Sequence, residues 1–90
     1  MLEWDLEGHI TYASPAVTWI TGYTPEEMKR RSIKRYLPAT MLPKLRIALR
    51  DEVAKGLQLK MRRKDGSLVN IEASAGHLSG VGWWLEFRRL

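Results

Sequence analysis

The sequence predicts a small α+β domain in which an antiparallel sheet carries several short helices on one face. Three observations predict this class: strand-like alternation at both ends of the chain, short helical segments punctuated by proline and glycine between them, and a length of 90 residues that suits one core. The hydrophobic fraction of 44% and the charged fraction of 28% are typical of globular chains. We therefore expect residues 1–90 to form a single domain.

The first element is a predicted hairpin. Residues 2–6 alternate between apolar and acidic side chains, Glu7-Gly8 offers a turn, and residues 9–12 alternate again. Apolar and polar side chains with a period of two are typical of strands that bury one face, and a glycine between two such runs is typical of a hairpin turn.

Two short helices are predicted next. A serine cap and a proline predict the first over residues 15–21, and Gly22 can end it in the left-handed conformation. The second starts at Pro25, because Thr24 can cap the helix and Glu27 can complete a capping box.

The longest helix is predicted after a loose turn over residues 30–41, where basic residues and a proline interrupt the apolar pattern. Apolar residues then recur at spacings of three, four and four, which indicates one helical stripe. The stripe consists of Leu42, Leu45, Leu49 and Val53. Leu49 lies centrally in it, and Gly56 lies just past the expected end.

Three strands are predicted to complete the chain, over residues 57–62, 68–75 and 83–88, since apolar and polar residues alternate in each run. A two-residue turn at Asp65-Gly66 would set the apolar row of one strand against the polar row of the next. We therefore expect an odd-length loop or a bulge.

Three segments together resemble a PAS domain. They are Asp5-Leu6-Glu7-Gly8-His9-Ile10 leading into Ser14-Pro15-Ala16, then Ile20-Thr21-Gly22-Tyr23-Thr24-Pro25-Glu26-Glu27-Met28, then Arg62-Arg63-Lys64-Asp65-Gly66-Ser67. The resemblance covers nearly the whole chain. It implies a five-stranded antiparallel sheet in the order 2-1-5-4-3, with helices over one face enclosing a pocket. It also implies a PAS core excised from a longer signalling protein.

The function that the resemblance implies is that of a sensory or protein-interaction module. Such modules serve sensor kinases, cyclic-dinucleotide enzymes and transcription regulators, and they relay signals to an output domain through dimer or linker geometry. The alternative is a sensor that holds a small apolar ligand or a noncovalent flavin.

Matching the last three strands to the family's sheet predicts which side chains face the helices and could line a ligand pocket. They are Leu59, Met61, Ile71, Ala73, Ala75, Trp83, Leu85 and Phe87. The two alanines are small among large neighbours and could leave room for a ligand. That room could instead be filled by Trp19, by Tyr12 or by the Leu45-Leu49 stripe. Close packing in protein interiors favours a filled core over a ligand pocket.

No resident cofactor is expected. Haem-binding PAS domains mostly take their ligand from a histidine on the long helix, whereas residues 40–55 contain none. Light-sensing flavin domains use a cysteine, and the chain has none. Noncovalent flavin remains an alternative, because Trp19, Trp83 and Phe87 could stack on its ring system.

The sequence indicates neither an enzyme nor a metal site. Adjacent carboxylates such as Glu26-Glu27 point in different directions on a helix, and no nucleophile, base and orienting group can be assembled. The net charge of +5 raises nucleic acid as an alternative, but only Trp84 is expected to lie exposed among the cations, so we expect no nucleic-acid partner.

The absence of cysteine fits a reducing compartment, and we expect a cytoplasmic protein without direct membrane insertion.

A homodimer is the expected assembly. Alternation along the last strands directs four residues to the face opposite the helices, and they are Leu68, Asn70, Trp84 and Glu86. A tryptophan and a leucine on adjoining polar strands would form an exposed patch of the kind that marks interaction sites.

Overall fold

The computed structural model describes all 90 residues and shows a five-stranded antiparallel sheet with short helices on one face. The strands are β1 (Leu2–Asp5), β2 (Ile10–Ala13), β3 (Val53–Arg62), β4 (Leu68–Leu78) and β5 (Gly82–Arg89). Their order across the sheet is β2-β1-β5-β4-β3, as the resemblance implied. The α+β class and the single sheet are therefore confirmed.

The N-terminal hairpin forms as predicted, but its alternation is irregular. A register shift between Glu3 and Trp4 interrupts the β1–β2 pairing. Ile10 is buried, whereas Tyr12 is 43% exposed, and Leu6 lies in the turn at 63% exposure. Ile10 and Tyr12 therefore do not share a buried face although they alternate with polar residues, because a bulge changes which side chains face the core.

The first two helices are short. Helix α1 (Val17–Thr21) begins two residues later than predicted and has no side-chain cap, and Gly22 ends it with φ of 80°. Helix α2 (Pro25–Met28) has the predicted capping box, in which Thr24 Oγ1 accepts from the Glu27 amide and Glu27 Oε1 accepts from the Thr24 amide. The local chemistry of this cap is therefore confirmed.

The segment predicted as one loose turn contains two 3-10 turns, Ile33–Arg35 and Ala39–Met41. Between them Tyr36 and Leu37 are almost completely buried. This segment therefore supplies part of the core despite its interrupted apolar pattern.

Helix α3 (Leu42–Ala48) is shorter than the predicted stripe. Leu49 is its C-terminal cap, and the chain turns through 3-10-type hydrogen bonds from the Arg50 and Asp51 amides before β3 begins at Val53. The placement of Val53 on the helix was therefore wrong. Gly56 lies within β3, where a register shift between Ala54 and Leu57 marks a bulge and glycine accommodates a φ of 67°.

The β3–β4 hairpin confirms the predicted odd-length loop. Arg62 pairs with Leu68, so five residues connect the strands and the two apolar rows share one face. Asp65 Oδ1 accepts hydrogen bonds from the amide and the hydroxyl of Ser67, at 2.9 and 2.6 Å, and these bonds hold the turn. They also lower the pKa of the Asp65 carboxyl.

Candidate functional site

The inner face of the sheet, which the helices cover, carries all eight predicted pocket residues. Leu59, Met61, Ile71, Ala73, Ala75, Leu85 and Phe87 are buried, and Trp83 is half-buried. They therefore lie together on one face, as the strand alternation predicted. Whether they bind a ligand stays a prediction.

The space opposite these residues is filled mainly by side chains from the middle of the chain. Met28, Ile33, Tyr36, Leu37 and Leu45 belong to the same buried cluster as the sheet residues. Tyr36 packs edge-to-face on Tyr23 with the ring centres 5.0 Å apart, and burial raises the pKa of its hydroxyl. The middle segment was the part of the sequence with the weakest periodicity, so its contribution could not be assigned from spacing.

Trp19 and Tyr12, which were expected to fill this space, lie on the surface instead. Trp19 is 86% exposed, and therefore it does not face the inner sheet residues with Trp83 and Phe87. Trp83 stacks on Trp4 with the ring centres 6.4 Å apart, and His77 lies on its other side at 6.1 Å. The inner aromatic residues thus pack on one another.

Three concavities reach the predicted pocket residues, and all three are open to solvent. One of about 550 Å³ includes Leu59 between α3 and the edge strand β3, and one of about 170 Å³ includes Phe87 beside α1. A third, of about 290 Å³, includes Ala73 and Phe87 among residues of β3, β4 and β5. None of the three gathers more than two of the eight residues. The inner face is therefore a packed core with shallow openings at its margins.

The outer face has a different character around Trp84. One row crosses all five strands there, and it consists of Tyr12, Glu3, Trp84, Gly76 and Val53. A Cβ atom at Gly76 would come within 2.7 Å of the Trp84 indole. The indole therefore packs directly against the Gly76 backbone, near the middle of the sheet.

A groove of about 410 Å³ surrounds this tryptophan. Its lining residues are Met1, Glu3, Val53, Lys55, Ser74, Leu78, Trp84 and Glu86. Val53 is 48% exposed, and Leu78 and Trp84 are half-buried. Aromatic and aliphatic surface thus forms the groove, and charged side chains lie at its two sides.

The structure brings together two of the four predicted dimer-face residues and separates the others. Trp84 and Glu86 line the groove. Leu68 and Asn70 point to the same face but lie eight and six residues from Gly76 along β4. At about 3.4 Å per residue these are distances of about 27 and 20 Å. Leu68 therefore forms no patch with Trp84.

Sequence reasoning missed Val53, Leu78 and Gly76 as members of this surface. Val53 had the spacing of a helical stripe, and the predicted β4 ended three residues before Leu78. Gly76 was the one signal in the sequence for this surface, since a glycine within a strand often marks a position where another group approaches the backbone closely.

The charges beside the groove are free of partners within the chain, with one exception. Glu3 and Lys55 form no ion pair, and Glu86 is 3.8 Å from the amino group of Met1. On the rest of the sheet, Arg88 pairs with Glu72 at 3.0 Å. The groove therefore has an acidic side on β1 and β5 and a basic side on β3.

The ionisable residues form no arrangement with an evident chemical role. No three or more of the histidine, aspartate and glutamate side chains lie close enough to hold a metal ion. Glu27 is engaged by the capping box and by Lys64 Nζ at 2.6 Å, and this hydrogen bond lowers the pKa of its carboxyl. No helix has the length and apolar character that crossing a membrane requires.

Comparison with known proteins identifies the family. The family model described as the PAS fold matches residues 10–80. This match covers most of the chain, and the chain belongs to the PAS fold family. No curated protein matches it closely enough to count as a relative.

Solved PAS structures share the whole fold. A PAS domain from Colwellia psychrerythraea is similar with a TM-score of 0.85 and 18% identity, over 99% of this chain and 82% of that one. The Drosophila melanogaster Cycle PAS-B domain, a tryptophan-to-alanine variant with bound glycerol, has a TM-score of 0.80 and 13% identity over 99% and 97%. A fungal LOV domain photoreceptor has a TM-score of 0.73 and 19% identity over 99% and 72%.

PAS domains are sensory and interaction modules of signalling proteins, and the sheet order and helix placement of this chain agree with that class. At these identities the likeness to the solved structures extends to the fold alone.

Proposed function

We propose that this PAS domain is a non-catalytic interaction module of a cytoplasmic signalling protein, and that its outer sheet face associates with a second copy. The observation that supports this proposal is the groove at Trp84. An indole and two aliphatic side chains lie together there, beside Glu3 and Lys55, which form no ion pair within the chain. A change in this contact would pass to the output domain of the longer protein through the geometry of the dimer.

The composition of the groove supports a protein partner. Interfaces are enriched in tryptophan at their centres, with polar and charged residues at the rim. Trp84 lies over Gly76 near the middle of the sheet, and Glu3, Glu86 and Lys55 lie around it. The groove is open and shallow, as a contact with another flat surface needs.

The packing of the inner face supports a module that works without a resident cofactor. A bound small molecule would need space among residues such as Ile71, Ala73 and Ala75, which are at most 3% exposed and belong to the buried cluster. The bound glycerol belongs to the Cycle PAS-B structure, and light reception belongs to the fungal LOV protein. This chain has no cysteine, which light-sensing flavin domains use.

The test is light scattering across a concentration series with the parent chain, Trp84→Glu and Trp19→Glu. The parent should dimerise, and Trp84→Glu should be folded and monomeric because a carboxylate in an apolar contact loses its hydration. Trp19→Glu is the matched control, since Trp19 is also a surface tryptophan, at 86% exposure, but lies on α1.

Trp19→Glu should therefore dimerise like the parent. A parent that is monomeric at every concentration, or a Trp84→Glu variant that dimerises equally well, would refute the proposed contact.

A further inference from the structure

The arrangement of charge beside the Trp84 groove is asymmetric across the sheet. Glu3 on β1 and Glu86 on β5 line one side, and Lys55 on β3 lines the other. The Met1 amino group lies 3.8 Å from Glu86 on the first side, and its single positive charge against two carboxylates leaves that side acidic. Strands β1 and β3 are three strand spacings apart, or about 14 Å, and β5 and β3 are two spacings apart, or about 10 Å. None of these acid–base pairs is within ion-pairing distance in one chain.

From this asymmetry we infer that two copies pack face to face about a two-fold axis that runs parallel to the strands, between β5 and β4. This inference rests on the proposed association of the outer faces and specifies its geometry. Rotation about such an axis places β1 of one copy opposite β3 of its partner. Lys55 of each copy then meets Glu3 and Glu86 of the other, and the contact is made twice.

The position of the indole agrees with this axis. Trp84 belongs to β5 but lies on Gly76 of β4, so it occupies the boundary through which the axis passes. The two Trp84 side chains therefore meet at the centre of the contact, with the charge pairs on both sides. Sheets that pack face to face with nearly aligned strands have this arrangement of inward-pointing side chains.

A two-fold axis perpendicular to the strands would bring like charges together instead of opposite charges. An axis in the interface that runs across the strands would place β1 opposite β1 and β3 opposite β3 of the partner. Glu3 would then approach Glu3 and Lys55 would approach Lys55, which is unfavourable because like charges repel. The charge pattern thus distinguishes the two arrangements.

The test uses two charge-reversed chains, Lys55→Glu and the double variant Glu3→Lys with Glu86→Lys. Each should self-associate at least about tenfold more weakly than the parent, because every cross-contact becomes a like-charge pair. An equimolar mixture should form a heterodimer, since each contact then joins a lysine to a glutamate. When one of the two chains is uniformly labelled with ¹⁵N, native mass spectrometry separates the heterodimer from both homodimers by mass.

Lys60→Glu is the matched control for charge reversal on the same strand and face. Lys60 pairs with Asn70, beyond the end of β1, so the parallel axis places no acidic residue of β1 opposite it. This variant should dimerise like the parent. Circular dichroism of every variant checks that the fold is retained.

The possible failures are distinguishable. If the parent dimerises and Trp84→Glu is monomeric, but the two reversed chains do not associate when mixed, the parallel axis is wrong and the proposed function stands. If the parent is monomeric, both are wrong. If Lys60→Glu weakens association as much as Lys55→Glu, net charge rather than specific pairing controls the contact and the inferred axis is refuted.

Discussion

Two neighbouring rows across the sheet have opposite properties although each takes one residue from every strand. The inner row is Ala13, Leu2, Leu85, Ala75 and Ala54, and every member is at most 8% exposed. The outer row is Tyr12, Glu3, Trp84, Gly76 and Val53, and its two end residues are 43% and 48% exposed. Adjacent residues on a strand point to opposite faces, so one step along each strand separates the core from the proposed contact surface.

The two rows also differ in how size is distributed. The inner row places small alanines beside large leucines, which lets the helices approach closely. The outer row places a glycine beside a tryptophan, which lets the indole pack directly against the strand backbone. Small residues therefore allow close packing by the helices on the inner face. On the outer face, Gly76 leaves room for the Trp84 indole.

The largest expected effect is the truncation of an inner-row leucine. Leu85 is completely buried in the central strand, so Leu85→Ala should lower the free energy of unfolding by about 2 to 5 kcal/mol through lost burial and a residual cavity. Chemical denaturation monitored by circular dichroism measures the change.

Leu49→Ala is the control for leucine truncation. Leu49 caps α3 and is only partly buried, so the cost should be about 1 kcal/mol. A leucine at the centre of a buried helical stripe would instead have a cost as large as that expected for Leu85. Equal losses from both substitutions would contradict the present assignment of the core.

A smaller effect is expected from enlarging an inner-row residue. Ala75 is completely buried between Ala54 and Leu85, so Ala75→Leu should destabilise the domain by about 1 to 3 kcal/mol through overpacking. Thermal unfolding is the measurement. An unchanged or higher melting temperature would show free space on the inner face, and it would restore the ligand pocket as the better account.

The smallest effect concerns a charge outside both rows. The hydrogen bond from Lys64 and the capping box lower the pKa of Glu27 from its ordinary value of 4.5. Because the carboxyl has a lower pKa when folded than when unfolded, its contribution to stability is fully present above pH 4.5 and is lost as the pH falls through the folded pKa.

Glu27→Gln should therefore reduce the melting temperature slightly at neutral pH and make its decline below pH 4.5 shallower. Glu26→Gln is the control, because Glu26 lies on the same turn and forms no ion pair. If the melting temperatures of the parent and of Glu27→Gln depend on pH in the same way, this carboxyl is not coupled to folding.

Much of the fold was predictable because its signals are local. The capping box at Thr24 and Glu27, the left-handed Gly22 and the odd-length β3–β4 loop each depend on residues close together in sequence. The strand order was available only through the resemblance to PAS domains, since local patterns do not determine which strands are neighbours.

The rest depended on tertiary contacts. The spacing of Leu49 and Val53 fits a helix, but the chain turns after Leu49, whose carbonyl oxygen lies 2.5 Å from His77 Nε2 of β4. The groove required β1 and β5, which lie at opposite ends of the chain, to pair beside Gly76. The eight inner residues could be placed on one face by alternation, whereas the segment that covers them has no periodicity to identify it.

If Trp84 marks the contact surface of this domain, its indole N–H resonance should report the association directly. The chain has four tryptophans, and single Trp→Phe variants assign their signals in a ¹⁵N-correlated spectrum. As the parent is concentrated, the Trp84 signal should shift progressively while that of exposed Trp19 stays constant. A constant Trp84 signal, or a Trp19 signal that shifts in its place, would contradict the account.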